Sequence, residues 1–113
     1  SQAMDREILK QNNALDDANT FLIILKETAR SSPVSQLFNR DTSDKIAAFV
    51  RIFRAGGVPS LAKGFVALAE LLATWQPRLQ QNSTAKNRFS DPFEKQLSAL
   101  HNMIGQMTIS LQL

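Results

Sequence analysis

Apolar residues recur along this chain with the spacing of helices. The clearest run opens at Asp91-Pro92-Phe93-Glu94, after which Phe93, Leu97, Leu100, Ile104, Met107 and Leu111 alternate spacings of four and three. That rhythm keeps six apolar side chains on one helix face, a stripe that must be covered by another surface. An Asp cap, a proline at the first position and a Glu three after the cap form a complete start signal. The pattern predicts a helix over 91–112.

A first helix is predicted over about 4–30. Ile8, Leu15, Leu22 and Ala29 fall seven apart, and Gln11, Ala18 and Leu25 occupy the second heptad position. This is a coiled-coil seam with one polar gap, at Gln11. Phe21, Ile23 and Ile24 widen the apolar surface to nearly the whole circumference, as in a helix buried on several sides. Residues 1–14 are therefore expected to project, and 15–29 to sit in a core or interface. Ser31-Ser32-Pro33 ends the helix, because the residue before proline is pushed out of helical geometry.

After a short segment at 34–39 with room for one turn, Asp41 or Ser43 is placed to cap a second helix over 43–55. Its apolar face is Ile46, Phe49, Val50 and Phe53, and Gly56-Gly57 closes it. Pro59 suits the first turn of a third helix over 59–76, striped by Leu61, Phe65, Leu68, Leu72 and Trp75. Gly64 inside it points to a close helix crossing, since glycine there otherwise costs about 1 kcal/mol relative to alanine. Pro77 stops that helix, and 77–90 reads as a long polar loop. No run of alternating β-branched residues calls for a strand. The expected fold is all-α, a compact bundle of about four helices in one domain spanning 1–113.

Composition adjusts this picture little. A chain of 113 residues, 43% apolar and 20% charged, buries roughly two thirds of its unfolded surface. Without cysteine there is no disulfide framework, thiolate zinc site or cysteine nucleophile. The longest apolar run, Phe21 to Leu25, is too short to span a bilayer, and the polar start does not resemble a secretion signal. A cytoplasmic location is the expectation. Ser1-Gln2-Ala3 before Met4 reads as a cloning remnant, and the apolar finish reads as a piece cut from a longer protein.

Charge is uneven. Residues 45–90 hold seven basic side chains and one acidic, a net of +6, while 1–44 carry −2 and 91–113 carry −1. Lys45, Arg51, Arg54, Lys63, Arg78, Lys86 and Arg88 make up the basic set, and phosphate neutralisation would require them to cluster in space. The third helix lacks the Arg, Asn and Gln face that reads base edges, so only non-specific backbone contact is expected of them.

No residue pattern points to chemistry. The single histidine, His101, has no His or Cys companion for a metal and no nucleophile-elbow sequence, so it reads as a boundary or surface residue. Asp16 and Asp17 are adjacent and diverge by about 100° on a helix, which suits a solvated face. Gly56-Gly57 with Lys63 and Gly64 lacks the phosphate-loop spacing and a preceding strand. Asn82-Ser83-Thr84 matches the glycosylation acceptor, which matters only in a secreted protein. The run Ala55 to Leu61 resembles the corner between helices in armadillo repeats, which would imply a peptide-binding α-solenoid. That likeness covers under a fifth of the chain and has no second copy, and a helix–Gly-Gly–Pro–helix corner is generic, so no family is assigned from it.

The expectation is a non-catalytic helical protein–protein interaction or self-association module, with no cofactor, metal, membrane or small-molecule substrate. Its interface is expected on Ile8, Leu15, Leu22 and Leu25 of the first helix and on Phe93, Leu97, Leu100, Ile104, Met107 and Leu111 of the last. Uncharged flanks such as Gln96, Asn102, Gln106 and Gln112 suit helix–helix contact, because little charge must be desolvated. The alternative is a basic helical domain that contacts nucleic-acid backbones through 45–90.

Overall fold

A computed structural model describes residues 1–31, 37, 39–74 and 91–112. Four helices pack against one another: α1 Gln2–Ser31, α2 Arg40–Ala55, α3 Pro59–Ala73 and α4 Asp91–Gln112. Among the described residues there is no strand, and the expected all-α bundle is what forms. The expected loop at 77–90 and Trp75 lie outside the described residues; α3 ends at Ala73 with Thr74 as its cap, short of the expected 76, and α4 includes Asp91, expected to be its cap, whose side chain lies outside the described residues.

Local chemistry sets the helix ends. Ser1 starts α1, its Oγ accepting the Met4 amide at 3.2 Å and its carbonyl the Asp5 amide at 2.9 Å. The second helix begins three residues earlier than its sequence suggested, at Arg40. Asn39 Oδ1 accepts the Thr42 amide at 2.9 Å, so Asn39 is the cap and Asp41 and Ser43 are helical. Asn, Asp and Ser cap about equally well, and with three candidates so close, sequence could not choose among them. The same helix closes at the glycine pair. Gly57 takes φ +77°, its amide reaches the Arg54 carbonyl at 3.3 Å, and the Val58 amide reaches the Phe53 carbonyl at 2.8 Å. These two reversed hydrogen bonds on a left-handed residue are a Schellman ending.

α2 and α3 form a tight hairpin across Gly56–Val58. α3 packs on α4, α4 packs on α1, and α1 meets α2 over a smaller area. Phe65, fully buried, sits at the centre with its ring 5.2 Å from Phe49 and 6.0 Å from Phe53. Phe21 of α1 joins this cluster, 5.5 Å from Phe49. Aromatic pairs at such separations add about 0.5–1.5 kcal/mol beyond their area burial. The α3–α4 crossing depends on Gly64, where an added Cβ would lie 2.5 Å from Leu100 Cδ2. Gln96 Nε2 donates across the same crossing to the Gly64 carbonyl at 3.1 Å. The close approach expected of this glycine is present.

The second half of α1 departs from expectation. Ile23 and Ile24 are 45% and 55% exposed, although the all-round apolar pattern implied burial. α1 packs mainly on α4 and touches α2 lightly, so only one side of it is covered. Ala14, Leu15, Ala18, Phe21, Leu22, Leu25 and Ala29 take that side. The start of α1 is exposed at residues 2–7, 9 and 10, but the exposed stretch stops short of the expected residue 14: Gln11 and Asn12 are half-buried and Ala14 is buried.

Candidate interaction surface

Most of the residues expected to face a partner face each other instead. Leu15, Leu22 and Leu25 of α1 and Phe93, Leu97, Leu100 and Ile104 of α4 are all 4% exposed or less and belong to one buried cluster. Met107 is half-buried against it. The seam and the stripe are two sides of an intramolecular interface, which corrects their assignment to a partner surface. Apolar spacing states that a face must be covered; it does not state by what. The side chains of Ile8 and Leu111 lie outside the described residues.

The large apolar side chains left in solvent are others: Met4, Leu9, Ile23, Ile24, Ile52, Val66 and Ile109. Single exposed apolar residues are ordinary on a protein surface, so their grouping matters more than their number. α1 and α4 run antiparallel: Leu22 to Arg30 share a groove with Leu97 to Asn102, and Gln11, Ala14 and Leu15 share one with Met107. The C-terminal end of α4, the closing turn of α2 and the projecting start of α1 therefore meet at one end of the bundle. Met4 at 66%, Leu9 at 60%, Ile52 at 40% and Ile109 at 61% exposed belong to those three segments.

Two recesses flank α1 there. One, about 200 Å³, is lined mainly by apolar groups, including Ala14, Leu15, Ile52, Phe53, Val58 and Met107. The other, about 310 Å³, lies between the projecting part of α1 and the end of α2, with Glu7 and Lys10 on one wall and Arg51, Ile52 and Ala55 on the other. Gln11 separates them, its Nε2 donating to the Gly56 carbonyl at 3.3 Å. The polar gap in the seam is thus the point where α1 is tied to the α2–α3 corner. Sequence offered no signal for Leu9 or Ile52, because neither lies on the main stripe of its helix. A shallow apolar groove of about 490 Å³ also runs between α2 and α3, past Ala47, Val50, Val66 and Ala69.

The basic residues spread out. Lys45, Arg51, Arg54 and Lys63 are exposed, but Lys45 lies over the Phe21 ring at 6.0 Å and helps cover the aromatic core. Asp41, Asp44 and Glu70 are exposed on the same hairpin, so its described part is far less one-sided than the +6 of residues 45–90. Arg78, Lys86 and Arg88 lie outside the described residues. Among the described residues, Asp5, Glu7, Arg51 and Arg54 make no ion pair.

His101 is exposed on α4, between a groove shared with Lys26 and Arg30 and another shared with Asp16 and Asn19. The described residues contain no cluster of three or more His, Cys, Asp or Glu able to hold a metal, and no helix among them is long and apolar enough to cross a membrane. Compared with known proteins, the chain matches no family model, no curated protein and no solved structure.

Proposed function

We propose that this chain is a non-catalytic helical interaction module, docking through the end of the bundle where α1 projects. The observation that carries this reading is that Met4, Leu9, Ile52 and Ile109 are exposed on the three segments that meet at this end, beside an apolar recess that Ile52 lines. Covering such side chains fully contributes about 1.5–3 kcal/mol each. Together that is comparable to the ~4–15 kcal/mol lost in association.

A photo-reactive amino acid at position 9 or 52 tests it, with positions 17 and 95 (exposed Asp17 and Lys95) as controls. Crosslinks to protein, whether a second copy or another chain, are expected from 9 and 52 and not from the controls. Equal yields from all four would refute the assignment.

The alternative, non-specific nucleic-acid backbone contact, is favoured by one feature: Arg51 and Arg54 are exposed and three apart on α2, and neither makes an ion pair among the described residues. Charge reversal at both should flatten the salt dependence of binding, each lost phosphate contact lowering the slope by about 0.7–0.9. Absence of DNA and RNA binding at low salt sinks it.

A further inference from the structure

We propose that the groove between the second half of α1 and the middle of α4 binds a small organic phosphate, with Lys26, Arg30 and His101 on its anionic group and Ile23 against its apolar part. The groove, about 340 Å³, takes its walls from residues 22–30 of one helix and 97–102 of the other. A volume of this order suits a small molecule. It lies away from the docking end and does not depend on it.

Helical geometry orders the walls. With about 100° between successive residues, Lys26 and then Arg30 follow buried Leu22 up one wall, and His101 and then Ser98 follow buried Leu97 up the other. Because α1 and α4 run antiparallel, both series climb toward the same opening. Glu27 and Asn102 are the outermost residues of their walls. Ile23 stands between Arg30 and Glu27 and is 45% exposed, an apolar side chain that the bundle itself leaves uncovered.

Glu27 is the one carboxylate on these walls. Two others adjoin the groove without lining it: Asp16, in the next recess along, which His101 also lines, and Glu94, exposed one turn before Ser98. Lys26, Glu27, Arg30 and Glu94 make no ion pair among the described residues, so no fixed contact neutralises the two cations. Lys26 and Arg30 stand four apart on one helix, a spacing at which like charges repel; an anion between them turns that repulsion into attraction. An ammonium, a guanidinium and an imidazole N–H, with the Ser98 hydroxyl and the Asn102 amide, offer more donors than the two oxygens of a carboxylate use. A phosphate monoester has three terminal oxygens and close to two charges, and a guanidinium grips it with two parallel hydrogen bonds.

Phenyl phosphate tests the assignment, titrated at pH 7 and low salt into the nitrogen-15-labelled chain while the amide spectrum is followed. Saturable shifts confined to residues 22–30 and 97–102 are expected, with a Kd below about 1 mM. K26Q/R30Q should weaken binding at least about tenfold, the scale of one charged hydrogen bond. R54Q/K63Q removes the same charge from exposed positions elsewhere and should leave binding unchanged. E27Q should tighten it about 1.5- to 5-fold, the scale of one exposed charge contact, and a gain cannot come from misfolding. I23S should weaken phenyl phosphate and leave inorganic phosphate as it was.

Shifts that do not saturate, or equal losses in the two double variants, overturn the site. Benzoate binding as tightly as phenyl phosphate overturns the choice of phosphate. Inorganic phosphate binding as tightly as its phenyl ester overturns the apolar contact with Ile23.

Discussion

Gly64 and Gly105 are both helical glycines, and the same substitution should move stability in opposite directions at the two sites. A Cβ at Gly64 would lie 2.5 Å from Leu100 Cδ2 and 3.3 Å from Met103 Cε, against an ordinary carbon–carbon contact of about 3.5–4.0 Å. Something must yield by roughly 1 Å to restore that distance. Leu100 is fully buried and cannot swing into solvent. Separating α3 from α4 would stretch the Gln96–Gly64 hydrogen bond, now 3.1 Å. Overpacking of this kind costs about 1–3 kcal/mol, and weakening the hydrogen bond up to about 1 kcal/mol more. The helix-propensity gain of about 1 kcal/mol offsets only part of this, so Gly64→Ala should destabilise by ~1–2 kcal/mol. At Gly105, exposed and with nothing within 4 Å of an added Cβ, only the propensity term acts, and Gly105→Ala should stabilise by up to about 1 kcal/mol. Urea melts followed by far-ultraviolet circular dichroism measure both. Leu100→Ala opens space for the methyl group that Gly64→Ala adds, so the double variant should be less destabilised than the sum of the singles by about 0.5–3 kcal/mol. Stabilisation by Gly64→Ala, or strict additivity with Leu100→Ala, would show that the crossing has room to spare.

Other substitutions separate packing from exposure. Phe65→Ala, at the centre of the aromatic cluster, should cost about 3–5 kcal/mol, a large share of the ~5–15 kcal/mol typical of a domain; a thermal midpoint near that of the parent would contradict its central role. Gly57→Ala forces a Cβ into the left-handed region at φ +77° and should lower stability by about 1–2 kcal/mol without changing helix content. Neighbours on α1 should differ sharply in the same denaturation assay: Leu25→Ala, buried, by about 2–5 kcal/mol, and Ile24→Ser, half exposed, by no more than about 0.5 kcal/mol. Equal losses at 24 and 25 would mean that the outer face of α1 is covered in solution.

The number and approximate bounds of the helices were legible in the residues alone, because those features follow from local causes. The 3.6-residue period, the glycine pair and Pro59 act within a few residues of where they stand, and Gly57 and Gly64 do what their type at that place implied. Even locally, the choice of Asn39 over Asp41 or Ser43 as cap escaped the pattern, because similar side chains compete within one turn. What covers each apolar face was settled by the packing of the helices and by nothing nearer. The α1 seam and the α4 stripe are indistinguishable in sequence from an intermolecular coiled coil; the fold pairs them with each other and leaves Leu9, Ile52 and Ile109 in solvent. Burial against a distant segment depends on how whole helices cross, and a side chain's identity carries no record of that. The candidate docking end became visible only when α1, α2 and α4 were seen to meet there.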